Sequence, residues 1–135
     1  MDLIGKWKVK KAACVTPGGM KLCTAAEVPA DKAYDHSRLV CQSVFEFCAD
    51  GTAYQLLSPE SLAQIDAYGE VDMLDGMAIV DRRAWKAEDG HYFCDTEANC
   101  SVGDELIDLF EKLETDENGY LPVSGGLLLL ERIGV

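Results

Sequence analysis

Asp-Gly or Asn-Gly pairs punctuate this chain at Asp50-Gly51, Asp75-Gly76, Asp89-Gly90 and Asn118-Gly119, each beside a strand-like apolar run. Such a pair supplies positive backbone φ at low cost and closes a tight hairpin. Four of them in 135 residues point to sequential antiparallel strands. For Ser43–Ala49 and Thr52–Leu57, a two-residue loop predicts Ala49 opposite Thr52, Phe47 opposite Tyr54 and Phe45 opposite Leu56. That register puts Phe45, Phe47, Tyr54 and Leu56 on one apolar face and pairs Glu46 with Gln55 on the other.

The same rule at Asp89-Gly90 pairs Trp85 with Cys94 and Ala87 with Tyr92, leaving Lys86, Glu88, His91 and Phe93 on the outer face. Around Asp75-Gly76 two registers are open. An unbroken strand over 77–87 puts Met77, Ile79, Trp85 and Ala87 on one face and turns Asp72 and Leu74 inward. A bulge near Arg82-Arg83 brings Val71, Met73, Ala78 and Val80 inward instead. A turn at Gly125-Gly126 pairs Val123 with Leu128 and Leu121 with Leu130; Pro122, lacking an N–H, marks a break or a sheet edge.

Helices are few. Ser58 caps and Pro59 starts one that shares a face through Leu62 and Ile65 and stops at Gly69. A second short helix is expected within Asp31–Val40, and a helical turn from Gly103 that becomes a strand by about Leu109. Some eight strands joined by tight turns close most simply into an up-and-down barrel. The expected fold is therefore all-β, mainly antiparallel, a single domain over 1–135 with one to three short helices; a two-sheet sandwich is the other arrangement.

Composition narrows the function classes. A net charge of −12 argues against nucleic acid and anionic membrane surfaces, which need a basic footprint. The N-terminus lacks the basic and apolar regions of a signal peptide, and no run is long enough to span a bilayer. The expectation is a cytoplasmic, acidic protein, a monomer or weak dimer, whose six cysteines are free thiols acting as small hydrophobes.

Gly5-Lys6-Trp7, just before the first strand, is similar to the Gly-x-Trp signature of lipocalins, and Leu128-Leu-Leu-Glu-Arg132 resembles their last strand with its basic residue. The resemblance implies that Trp7 packs at the closed end of a barrel with Arg132 laid across it, a cation on an indole face. More broadly the chain resembles small bacterial lipocalin-like proteins of unassigned function over most of its length. The segments Leu3–Val9, Gln42–Phe47, Asp75–Met77, Trp85–Gly90 and Asp95-Thr96 carry it. It implies a fold of the calycin type, with one end more open, and no particular ligand. A fatty-acid-binding-protein-like barrel fits the length but wants a helix pair where Pro29 interrupts Thr24–Val40.

Within such a barrel Phe45, Phe47, Tyr54, Leu56, Trp85 and Tyr92 converge, either filling it solidly or lining a ligand cavity. Trp and Tyr favour the cavity, because their N–H and O–H need partners. Asp72, with Glu70 nearby, is either an inward carboxylate for a polar ligand head or a solvated edge residue. No nucleophile elbow, phosphate loop or dinucleotide fingerprint is present. Cys94 and Cys100 lack the spacing partners of a zinc site, and Asp95-x-Glu97-x-Asn99 lacks the glycine of a calcium loop. No cofactor, metal or catalytic residue is therefore expected. The leading expectation is a non-enzymatic binder of a small apolar or amphipathic molecule stacked on Trp85, Tyr92, Tyr54 and Phe47. The alternative is a filled structural or protein-interaction module acting through its acidic surface.

Overall fold

The computed structural model describes residues 2–63 and 71–134. Ile65, Gly69 and Glu70 lie outside them. The described strands are β1 (Gly5–Thr16), β2 (Gly19–Cys23), β3 (Val44–Phe47), β4 (Thr52–Leu57), β5 (Met73–Leu74), β6 (Met77–Glu88), β7 (His91–Val102), β8 (Glu105–Leu113), β9 (Leu121–Val123) and β10 (Leu128–Gly134). All pair antiparallel in the order β8-β7-β6-β4-β3-β1-β10-β9, with β2 added to β1 and β5 to β6. The ladder does not close: β8 and β9, the two ends of this order, lie beside one another without strand hydrogen bonds between them. The closed eight-stranded barrel expected from the turns is thus, among the described residues, an open ten-stranded sheet.

Local chemistry accounts for most elements. At Asp75-Gly76 and Asp89-Gly90 both residues have positive φ (49° and 81°, 51° and 78°), as a two-residue hairpin loop requires. Trp85 faces Cys94 and Ala87 faces Tyr92, and in the C-terminal hairpin Val123 faces Leu128 and Leu121 faces Leu130, all as expected. Pro122 sits on β9 at the edge of the sheet order, where its missing N–H costs least. A 3-10 turn at Lys32–Tyr34 leads into helix α1 (Asp35–Cys41), and Ser58 accepts a hydrogen bond from Ser61 N at the start of helix α2 (Pro59–Leu62). No described helix is long and apolar enough to cross a membrane.

Three expectations are corrected. The loop at Asp50-Gly51 holds three residues, not two: Cys48 N donates to Thr52 O, and Phe47 faces Ala53, Glu46 faces Tyr54 and Phe45 faces Gln55. A one-residue slip moves side chains to the other face, so Tyr54 and Leu56 leave the face of Phe45 and Phe47. On β6 a bulge does occur, but at Val80: Gln55 faces Asp81 and Leu56 faces Ile79, leaving Val80 without a partner on β4. The bulge turns Ala78 towards the face of Ala53 and Leu57, where it is fully buried. Finally, the run after Gly103 is strand throughout, because β7 and β8 form one long hairpin that gives its backbone a ladder partner from Glu105 onward.

The main core joins both ends of the sheet. Leu3, Trp7, Val9 and Phe47 pack with Leu113 of β8, Leu121 of β9 and Leu130 of β10. Trp7 donates its indole N–H to Leu3 O (3.1 Å). The Arg132 guanidinium lies 4.4 Å from the Trp7 ring centroid and donates to Ile4 O.

Candidate functional site

The inner face carries a partly open cavity of about 460 Å³. Its shape follows from the corrected register. Alternation on β3 and β4 sends Phe45, Phe47, Ala53 and Gln55 inward, and the pairs Ala53–Arg83 and Gln55–Asp81 bring Arg83 and Asp81 onto the same face. From the far side come Cys94, Asp95 and Thr96 of β7, Glu111 of β8, Val123 of β9 and Leu128 of β10. Of the lining residues, Phe47, Ala53 and Val123 belong to the main core and Phe45 and Leu128 pack against it, while Gln55, Asp81, Arg83, Asp95, Thr96 and Glu111 add polar groups.

Each polar group has a defined setting. Arg83 donates from Nε to Asp81 (2.9 Å), and Glu97 stands 3.7 Å from the same nitrogen. Burial opposes the guanidinium charge, but the Asp81 and Glu97 carboxylates outweigh it and hold its pKa above the ordinary value. Glu111 spans the seam between the sheet ends: its carboxylate accepts from Ser124 N (2.8 Å) and Gly125 N (2.5 Å). Gln55 donates to Ser43 Oγ, which in turn donates to Leu39 O, so its amide is held by α1. Burial pushes the Cys94 thiol up to about 11, with nearby carboxylates adding to the shift, so it is no thiolate nucleophile at neutral pH.

Of the residues singled out in the sequence, Phe45 and Phe47 line this cavity. Trp85 and Tyr92 stand beside it as wall supports. The Trp85 indole donates to Cys48 O (2.9 Å), and its ring meets Phe47 edge-on at 6.3 Å and Tyr92 at 6.1 Å. Tyr54 and Leu56 are on the opposite face of the β3–β4 hairpin. Asp72 is solvated: three-quarters of its side chain is exposed, paired with Arg82 outside the cavity. Gln55, Asp81, Arg83, Asp95, Thr96 and Glu111 went unrecognised. The three-residue loop, which decides the face of Gln55, leaves no mark in a simple alternation pattern, whereas Asp81 and Arg83 share the face of Trp85 by plain alternation along β6 and were passed over. Among the described residues no group of three or more His, Cys, Asp and Glu side chains is placed to hold a metal ion.

Comparison of the chain with protein-family models, curated proteins and solved structures gave no match.

Proposed function

We propose that this chain is a lipocalin-like binding protein of the cytoplasm that holds a small apolar or amphipathic molecule non-covalently in the cavity between β3, β4, β6 and the C-terminal strands. The observation that carries the reading is the cavity itself: about 460 Å³, lined by both apolar and polar side chains. That volume is within the usual range of ligand pockets, and a lining of both kinds suits an apolar body with a polar head. Phe45 and Phe47 offer ring surface to the body. Arg83, Thr96 and Asp95 offer hydrogen bonds to the head. The resemblance of Gly5-Lys6-Trp7 and Arg132 to lipocalin ends agrees with this reading, as does the guanidinium stacked on the indole.

Ala53, buried on the cavity wall, gives the test. A neutral environment-sensitive fluorophore titrated into the native protein is expected to saturate at one site. Ala53→Leu, which projects three further carbons into the space, should keep the circular dichroism spectrum and lose at least tenfold in affinity. Unsaturable binding by the native chain, or equal affinity of the variant, would refute the cavity as the site.

A further inference from the structure

Away from the cavity, Cys14 on β1 and Cys23 at the end of β2 meet in a second, smaller core with Val28, packed against Tyr34 and Cys41. In the β1–β2 ladder Cys14 faces Lys21 and Cys23 faces Ala12, so the two cysteines are diagonal neighbours on one face. Both are buried, at 3% and 0% exposure. Their Sγ atoms are 3.0 Å apart. That is a thiol–thiol hydrogen-bond contact, closer than the roughly 3.5–4.0 Å at which carbon atoms pack, and it leaves the two sulfurs a short step from a disulfide bond of about 2.0 Å. We infer that Cys14 and Cys23 are a disulfide-forming site that locks the β1–β2 hairpin, with a low-molecular-weight disulfide of the glutathione class as oxidant. This departs from the expectation that all six thiols stay free in a reducing cytoplasm, so the cross-link is expected where the chain meets oxidising conditions.

The chemistry is two successive exchanges. One protein thiolate attacks a sulfur of the small disulfide, forming a mixed disulfide and expelling one small thiolate. The second protein thiolate attacks the protein-bound sulfur of that intermediate, closing the Cys14–Cys23 bond and expelling the other. The protein loses two electrons, the small disulfide gains them, and the two protein thiol protons end on the departing thiols. In the folded chain the hydrogen bond with Cys23 and burial hold the Cys14 thiol protonated. The exchange therefore belongs to folding, when the hairpin is still open to solvent.

Refolding of the full chain in oxidised and reduced glutathione tests this. After acid quenching and maleimide blocking, trypsin without reductant cuts after Lys11, Lys21 and Lys32. The expected product is peptide 12–21 joined to peptide 22–32, unblocked at both cysteines and separable by reductant. The oxidised protein should also melt several degrees above the same sample reduced, and Cys41→Ala should leave the cross-link intact. Maleimide or glutathione on both Cys14 and Cys23 at every redox ratio, or Cys41 cross-linked in place of either, would overturn the inference. The readout is peptide mapping of the native sequence, so it does not depend on a cysteine variant that folds.

Discussion

Gly76 isolates one residue's contribution to the fold. Its φ is +81°, and an added Cβ would meet nothing within 4 Å, so backbone strain alone opposes a side chain there. Gly76→Ala should cost about 1–2 kcal/mol, with Gly76→Asn costing less because asparagine tolerates the left-handed region. Urea unfolding measures both, and a neutral Gly76→Ala would contradict the turn geometry. Cys94 carries a pH signature. Folding raises its thiol from 9.0 to about 11, chiefly by burial. The native state then holds the proton more tightly than the unfolded chain does. Its contribution is complete below pH 9 and is lost as pH rises towards 11. Native protein should lose about 1–2 kcal/mol more than Cys94→Ala across that window, a figure reduced for the solvent that still reaches the thiol. Parallel unfolding curves for the two proteins against pH would show that this thiol stays well hydrated.

Among the elements, the hairpins separate what a dipeptide encodes from what it leaves open. Asp75-Gly76 and Asp89-Gly90 adopt the two-residue loop, and the second hairpin's register follows from counting outward. Asp50-Gly51 has the same chemistry and a different loop. Only its glycine is left-handed (φ 88°), a turn followed by a glycine bulge. Two contacts from β6 hold that form: Trp85 N donates to Gly51 O and the Trp85 indole to Cys48 O. Trp85→Phe keeps the ring and removes the indole donor. It should destabilise by about 0.5–1.5 kcal/mol, because the half-buried Cys48 carbonyl loses the indole and keeps only its bond from Gly51 N. Faster amide exchange at Thr52 and Gly51, with the Asp89-Gly90 turn unchanged, is the expected pattern; uniform exchange over both hairpins would argue against a local anchor. Phe45 and Phe47 were legible as inward residues because every apolar register keeps them together. Tyr54 and Leu56 were not, because their face depends on one residue of loop length.

For the molecule as a whole, the question is what joins the two ends of the sheet order. No strand ladder does so among the described residues; Leu113 and Leu121 pack across the gap, and Glu111 reaches from β8 to two amides of the Ser124–Gly126 turn. Glu111→Ala should cost about 1–3 kcal/mol. In hydrogen exchange Ser124 and Gly125 should lose protection, while the β3–β4 hairpin keeps it. Full retention at Ser124 and Gly125 would mean that the apolar contacts suffice. The same carboxylate lines the cavity, so the seam and the candidate site share a residue.

By itself the sequence determined the antiparallel β class, the positions of the tight turns, and the starts of the helical segments at Asp31 and Ser58, though α2 ends at Leu62, short of the stop expected at Gly69. These rest on short-range chemistry: left-handed glycines, capping side chains and alternating burial. The tertiary structure alone decided which face Tyr54, Gln55 and Leu56 occupy, where β6 bulges, that the ladder stays open among the described residues, and which strands bring Asp95, Thr96 and Glu111 to the cavity. Those outcomes depend on strands far apart in sequence competing for one register, and a single-residue shift, which costs little locally, reverses every side chain beyond it.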